Sequence, residues 1–413
     1  MKWEIVRLGD YCSKIGSGAT PRGGSTVYKN TGVSFIRSQN VYNLTFDYDG
    51  LVHITDDAAS KLKNVIVEDK DVLLNITGDS VARVSIVPNE VLPARVNQHV
   101  SIIRTLPDVL DQSYLAYFLV SPYMQSYMLN LAIGKGASRN ALTKGMIEDF
   151  PVPLPPILLQ KKIVDILLNY DNLIDNNQKQ IILLEESAMQ LYKEWFVNLH
   201  FPGCETTKII EGIPEGWEFG KLKNYIDVNS RSISNTYPYE EINYVDIGSV
   251  NHGRIERQSA YRLSDAPGRA KRLAKDGDVI WGMVRPNLKA YALILSPEEN
   301  CVFSTGFAIL SSKHVPYTFL YCSVTRESFV SYLVNCTNGS AYPAVKPVHF
   351  EEAEIMVPVE TLLSQFHTIT DPIFRKIKTI EKQNYYLKQA RDKLIPKLIN
   401  GEIEVYFYEQ DTN

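Results

Sequence analysis

Downstream of Pro155, and again downstream of Pro358, a periodic face steps along the chain by threes and fours. It runs through Ile163, Ile166, Tyr170, Leu173, Asn177, Ile181, Leu184, Ala188, Leu191 and Trp195 in the first stretch. In the second it runs through Phe366, Ile369, Ile373, Ile377, Ile380, Asn384, Leu387, Arg391, Leu394 and Leu398. That spacing marks one face of an α-helix. About 40 residues at ~1.5 Å each make a rod of ~60 Å, longer than a small domain needs to cover its own core. Two such rods can bury their stripes against each other as an antiparallel pair. Pro372 falls inside the second stretch and is expected to kink or begin that helix, with Asp371 as its cap. Upstream of each rod the pattern has a period of two and reads as strand, as in Val33-Ser34-Phe35-Ile36 and Ile242-Asn243-Tyr244-Val245.

Those two strands are also counterparts, because the halves of the chain repeat. Trp3-Glu4-x-x-Arg7-Leu8-x-x-Tyr11 returns as Trp217-Glu218-x-x-Lys221-Leu222-x-x-Tyr225, and Asp71-Val72-Leu73-Leu74 as Asp278-Val279-Ile280-Trp281. His99-Val100-Ser101-Ile102-Ile103 answers to Gly306-Phe307-Ala308-Ile309-Leu310, and Gly136-Ala137-x-x-x-Ala141-Leu142 to Gly339-Ser340-x-x-x-Ala344-Val345. The expected fold is α/β: globular domains over 1–155 and 214–358, and helical spacers over 156–200 and 359–405. Pro202-Gly203 and Pro214-Glu215-Gly216 bracket a linker over 201–213, and 406–413 form a tail. An antiparallel spacer pair implies a pseudo-two-fold internal repeat. That symmetry suits a duplex, whose half-sites lie ~34 Å apart per helical turn.

Composition narrows the class. With 45% hydrophobic and 22% charged residues the chain is a folded protein. It opens without an apolar signal segment and holds no window of ~18 apolar residues, so a cytoplasmic protein with no membrane partner is expected. Cys12, Cys204, Cys301, Cys322 and Cys336 are odd in number and never spaced Cys-x-x-Cys, which points to reduced thiols and no metal site. A net charge of −4 argues mildly against nucleic acid, but residues 251–293 hold nine basic side chains against four acidic ones.

The chain shows no reagents for DNA chemistry. Asp371-Pro372-Ile373-Phe374 is similar to the Asp-Pro-Pro-Tyr loop of amino-group methylation, but it lacks the second proline and lies in the helical period. Gly16-Ser17-Gly18 opens no helix, as phosphate binding at a helix N-terminus requires. Asp57 with Glu68-Asp69-Lys70 suggests a metal-nuclease arrangement, yet its counterpart Lys275-Asp276-Gly277-Asp278 keeps neither the glutamate nor that lysine. No Gly-x-x-x-x-Gly-Lys-[Ser/Thr] loop or metal-spaced histidine pair is present. Catalytic and metal residues are therefore expected to be none.

If the shared positions are scaffold, the readers lie where polar loop residues diverge. Arg, Gln and Asn match base edges in the major groove, and glycine-rich turns bring backbone amides to phosphate. In the first half the candidates are Thr20, Arg22, Arg37, Ser38, Gln39, Asn40, Thr77, Arg83, Asn97, Gln98, Ser138, Arg139 and Lys144. In the second they are Asn251, His252, Arg254, Arg285, Asn287, Lys289, Ser340, Tyr342 and Lys346. Arg83 is aligned here with Lys289. Because the two sets differ chemically, the target is expected to be asymmetric.

These motifs carry a resemblance over nearly the whole chain. The Trp-Glu-x-x-x-Leu segments at Trp3 and Trp217, Gly18-Ala19-Thr20-Pro21, Ile36-Arg37-Ser38-Gln39-Asn40-Val41, Gly136 to Leu142, and Pro153-Leu154-Pro155-Pro156 running through Gln160 into the helix are in order. In that order they resemble the specificity subunit of type I restriction-modification systems. The resemblance implies two target recognition domains, two long helices packed as an antiparallel coiled coil, and double-stranded DNA as ligand. It implies methyltransferase (M) and restriction/translocase (R) partners that bring S-adenosylmethionine, ATP and Mg2+, with no cofactor and no catalysis on this chain. The second half lacks a Gly-Thr-Pro loop near Ser230 to Asn235, so no DNA contact is carried over there. Two other readings compete: a self-contained restriction or modification enzyme, and a coiled-coil assembly scaffold whose basic residues are scattered over the surface.

Overall fold

The computed structural model describes residues 3–21, 23–133, 140–337 and 343–405. They divide into two compact units, Met1–Asn176 with Asn384–Asn413, and Asn177–Gln383.

In the first unit β1 (Glu4–Arg7) pairs with β10 (Pro151–Leu154). Four strands, β2 (Cys12–Ser17), β6 (Val72–Asn75), β7 (Val84–Ile86) and β9 (Val100–Thr105), form an antiparallel sheet in the order β7-β6-β9-β2. A second sheet has the order β4-β3-β8-β5, with Tyr28–Lys29 added beside β4. Its strands are β3 (Val33–Ile36), β4 (Val52–Ile54), β5 (Ile66–Val67) and β8 (Ala94–Val96). The two sheets share a core of Ile36, Leu73, Val96, Val100 and Ile102. That sandwiching explains why Val72–Asn75 is buried at every position instead of at alternate ones.

The other face of the four-stranded sheet is covered by α1 (Gln112–Leu119) and α2 (Pro122–Ala132). Asp111 caps α1 by accepting from the amides of Ser113 at 2.9 Å and Tyr114 at 3.0 Å. Ser121 caps α2 ahead of a proline at its first turn. The first long helix, α3 (Ile157–Phe196), is stapled to this end by Gln160. That buried amide accepts from the Asp111 amide at 2.8 Å and donates to the carbonyls of Val109 (2.9 Å) and Pro155 (2.8 Å).

The second unit repeats the plan. Its strands are β11 (Glu218–Lys221), β12 (Ile226–Val228), β13 (Glu241–Val245), β14 (Ser259–Arg262), β15 (Ala270–Arg272), β16 (Val279–Gly282), β17 (Tyr291–Leu293), β18 (Cys301–Ser304), β19 (Phe307–Ser312) and β20 (Glu354–Val357). The sheets run β12-β19-β16-β17 and β14-β13-β18-β15, and β11 pairs with β20. The parallel pairing also recurs: β3 lies parallel to β8, and β13 to β18. Helices α4 (Tyr317–Thr325) and α5 (Glu327–Asn335) take the places of α1 and α2.

The second long helix is α6 (Glu360–Ile399), and both long helices have 40 residues. Each unit takes half of each helix. In the first unit Asn384 Nδ2 donates to the Ile174 carbonyl at 3.3 Å, Arg391 Nη1 to Asp171 Oδ1 at 2.5 Å, and Ile395 and Leu398 share a core with Ile163 and Leu167. Partners on α3 recede as α6 advances, so the halves are antiparallel. In the second unit Tyr192 and Phe196 of α3 meet Phe366 of α6.

Pro372 does not begin the second helix, which starts twelve residues earlier at Glu360. Burial of Phe366, Phe374, Ile377 and Ile380, each worth ~1.5–3 kcal/mol, offsets the ~3 kcal/mol that a mid-helix proline costs. Asp371 is no cap either: it accepts from the Tyr317 hydroxyl at 2.5 Å and from Arg375 Nε at 3.0 Å.

Candidate nucleic-acid interface

In the first unit the loops at one end of the four-stranded sheet are laced together by backbone bonds. Gly18 N donates to Val100 O at 2.9 Å, Ala19 N to Val96 O at 3.1 Å, Ile76 N to His99 O at 2.9 Å, and Gly78 N to Asn140 O at 3.1 Å. Gly18 is required there, because a β-carbon would sit 2.1 Å from the Val96 carbonyl oxygen and 2.2 Å from that of Asn97. The lacing gathers three of the candidates into one polar chain. The Thr20 hydroxyl bonds Gln98 Oε1, Gln98 Nε2 lies 3.2 Å from His99 Nε2, and His99 Nδ1 lies 2.6 Å from Thr77 Oγ1. His99 is not among the candidates read from the sequence; its position next to Gln98 was the available signal.

Other candidates are spent on the scaffold. Asn40 is buried, with its Oδ1 accepting from the Arg37 amide at 3.0 Å and its Nδ2 donating to Asp47 O at 2.9 Å. Asn97 is buried and accepts from the His99 amide at 3.1 Å. Arg37 donates to Gly50 O at 2.5 Å and lies over the Tyr28 ring, while the Ser38 carbonyl accepts from the buried Asn75 amide at 2.8 Å. Gln39 stays exposed beside Gly50. Arg83 rests on the exposed Tyr42 ring, 4.3 Å from its centroid. Lys144 is exposed at the start of the Lys144–Glu148 helix, 3.6 Å from Glu148.

In the second unit the 250–255 hairpin and the 285–289 loop come together, with His252 N donating to Lys289 O at 3.1 Å and Gly253 N to Tyr291 O at 2.8 Å. Arg285 and Lys289 both take left-handed backbone, φ 50° and 54°, and between them hold Asn287 exposed. Two of the cations there are already paired: Arg254 with Glu185 of α3 at 3.3 Å, and Lys289 with Glu327. Burial holds the Glu185 carboxyl above its ordinary pKa despite Arg254. Asn251 is exposed, its amide 3.4 Å from Glu256, and Lys346 is exposed at the start of the Pro347–Glu351 helix. Arg22, Ser138, Arg139, Ser340 and Tyr342 lie outside the described residues.

The basic excess of residues 251–293 is divided, not gathered into one patch, which is the distribution the assembly-scaffold reading expects. Arg254 and Lys289 sit in the hairpin cluster. Arg257, Arg262, Arg269 and Lys271 are exposed, with no acidic partner among the described residues; Arg262 and Lys271 lie in β14 and β15, at opposite edges of one sheet. The 230–235 segment pairs with the edge at 271–273: Ile233 N donates to Lys271 O at 2.9 Å, and Ser232 bridges Arg272. Among the described residues, no amide of 230–235 bonds the carbonyls of β18 or β19 as Gly18 and Ala19 bond those of Val100 and Val96.

The model of the type I restriction modification DNA specificity domain matches residues 1–186. The MjaIX specificity subunit of a type I restriction enzyme from Methanocaldococcus jannaschii is 25% identical over 98% of this chain and 94% of its own length. The HindI specificity subunit from Haemophilus influenzae is 22% identical over 97% and 99%. In fold the chain is similar to a crystal structure of the type I system S subunit from M. genitalium, with a TM-score of 0.57 at 13% identity, covering 96% of both chains.

Proposed function

We infer that this chain, a member of the specificity-subunit family of type I restriction-modification systems, reads an asymmetric two-part DNA sequence, one part per unit. It performs no catalysis itself. One observation carries the two-part reading: equivalent backbone loops, held at the same sheet edge in each unit, bear different side chains. Thr77, Gln98 and His99 of the first unit answer to Val284, Thr305 and Gly306 of the second, with Thr77 bridged to Ala141 as Val284 is to Ala344. One scaffold with two side-chain sets calls for two unlike half-sites.

The chemistry then belongs to partners. Methyltransferase subunits carry S-adenosylmethionine, and restriction/translocase subunits carry ATP and Mg2+, all in the cytoplasm beside the DNA. No described helix is long and apolar enough to cross a membrane. The test is to express the chain with its methyltransferase partner in a methylation-free host and map the modified bases. Methylation confined to one asymmetric, gapped sequence is the expected result; an intact complex that modifies nothing sinks the reading. Binding should also weaken steeply with salt, as counterions released by phosphate contacts require.

A further inference from the structure

We propose that His99 fixes the hydrogen-bonding face that the first unit turns toward DNA, by setting the direction of the relay from Thr20 through Gln98 and His99 to Thr77. This rests on the DNA-reading function above and makes His99 a positioning residue for it.

With Gln98 Oε1 turned toward Thr20, donor and acceptor chemistry gives the direction. The Thr20 hydroxyl donates to Gln98 Oε1. The Gln98 amide nitrogen has only hydrogens to give, so His99 Nε2, 3.2 Å away, accepts. The imidazole proton then sits on Nδ1, which donates to Thr77 Oγ1 over 2.6 Å. Among the described residues Thr77 is left with a free O–H, Gln98 with its second N–H, and Thr20 with unshared lone pairs. The exposed face therefore shows two donors and one acceptor.

Run the other way, from Thr77 through His99 and a turned Gln98 amide to Thr20, the same atoms would exchange the roles of the two threonines. A base accepted by one arrangement would be refused by the other, because an unmatched donor or acceptor at a dehydrated interface loses its water bond and gains nothing.

The imidazole can be cut into its two halves. In His99→Asn the side-chain NH2 can still donate to Thr77, while the link to Gln98 is broken. In His99→Gln the amide oxygen can still accept from Gln98, while Thr77 is released. Genome-wide methylation mapping of the complete complex, with each variant in place, reads the base preference at every position.

Each variant is expected to relax one position of the same half-site about tenfold. His99→Asn should relax the base facing Gln98 and Thr20, and His99→Gln the base facing Thr77. The other half-site stays unchanged and serves as internal reference. If both variants keep the wild-type preferences, or both lose methylation evenly without altered preference, the relay is scaffold and the proposal fails. Failure of the wild-type complex to methylate any sequence would instead sink the DNA-reading function beneath it.

Discussion

At the positions of Thr77 and His99 the loop edge of the first unit is polar, where the second has Val284 and Gly306. Where the first places His99 between Gln98 and Thr77, the second has Gly306, and the space is taken by Ile247: a β-carbon on Gly306 would meet Ile247 Cδ1 at 2.4 Å. The backbone does not register the change. Ile76 N donates to His99 O at 2.9 Å, and Met283 N to Gly306 O at 2.9 Å. The sheet edge is held by main-chain bonds, so its side chains are free to diverge. On the proposed function, stability and recognition are thereby carried by different atoms.

The sharpest test of that separation uses the scaffold itself. Asp71 and Asp278 are equivalent and fully buried, but Asp71 receives a two-pronged bond from Arg104, both contacts at 2.8 Å, whereas Asp278 receives a single bond from Arg231 at 2.7 Å. Asp71→Ala should destabilise the first unit by about 2 kcal/mol, since it removes both bonds between Arg104 and a buried carboxylate and leaves Arg104 only Glu68 and the Ile66 carbonyl. Asp278→Asn should cost only about 1 kcal/mol. Burial holds the Asp278 carboxyl above its ordinary value, outweighing Lys275 and Arg231. Its contribution to stability is therefore fully present below the unfolded pKa and is lost as pH rises through the folded one. The deficit of Asp278→Asn should accordingly shrink between pH 3 and pH 7, as read by hydrogen exchange in the strands of the second unit. Equal deficits for the two variants at pH 7 would break the comparison.

A pair of glycines comes next. Gly18→Ala forces a β-carbon onto main-chain oxygens that cannot yield, and should destabilise the first unit by about 2 kcal/mol and weaken DNA binding with it. Gly306→Ala meets side-chain atoms of Ile247 and Ser304 and no main chain, and should cost about 0.5 kcal/mol. Fluorescence-anisotropy titration with the assembled complex, beside thermal melts, separates the two. The smallest effect concerns charge. Lys346→Ala should lower the slope of log affinity against log salt by about one, and Lys144→Ala by less, because Glu148 already shares that charge. Identical slopes would remove the distinction.

The rods, the strands and the repeat were legible because periodicity survives divergence: Ile163 to Trp195 and Phe366 to Leu398 announce buried stripes whatever the loops contain. Which candidate side chains are spent on the scaffold was not legible from residue type. Arg37 and Asn40 have the donors and acceptors that suit base edges, and for the same reason they suit main-chain carbonyls, which is where Gly50 and Asp47 hold them. His99 was hidden by lying at the head of an apolar strand. Register also slipped by one residue. The pairing of Asn75 N with Arg83 O, and of Gly282 N with Ala290 O at 2.7 Å, makes Ala290 the counterpart of Arg83, and Lys289 that of Ala82. Pro372 misled because core burial outweighs a local helix-breaking preference.

The division of both long helices near their middles has a consequence for biosynthesis. The unit that is second along the chain is contiguous, 177–383, and has its whole core in hand once those residues have left the ribosome. The unit that is first along the chain is not: Ile395, Leu398 and Ile399, which close the core around Ile163 and Leu167, are translated after the whole of the second unit. Its N-terminal strands must wait through most of translation for the helix end that seals them. A nonsense mutation just before residue 384 would therefore injure the domain encoded at the opposite end of the gene.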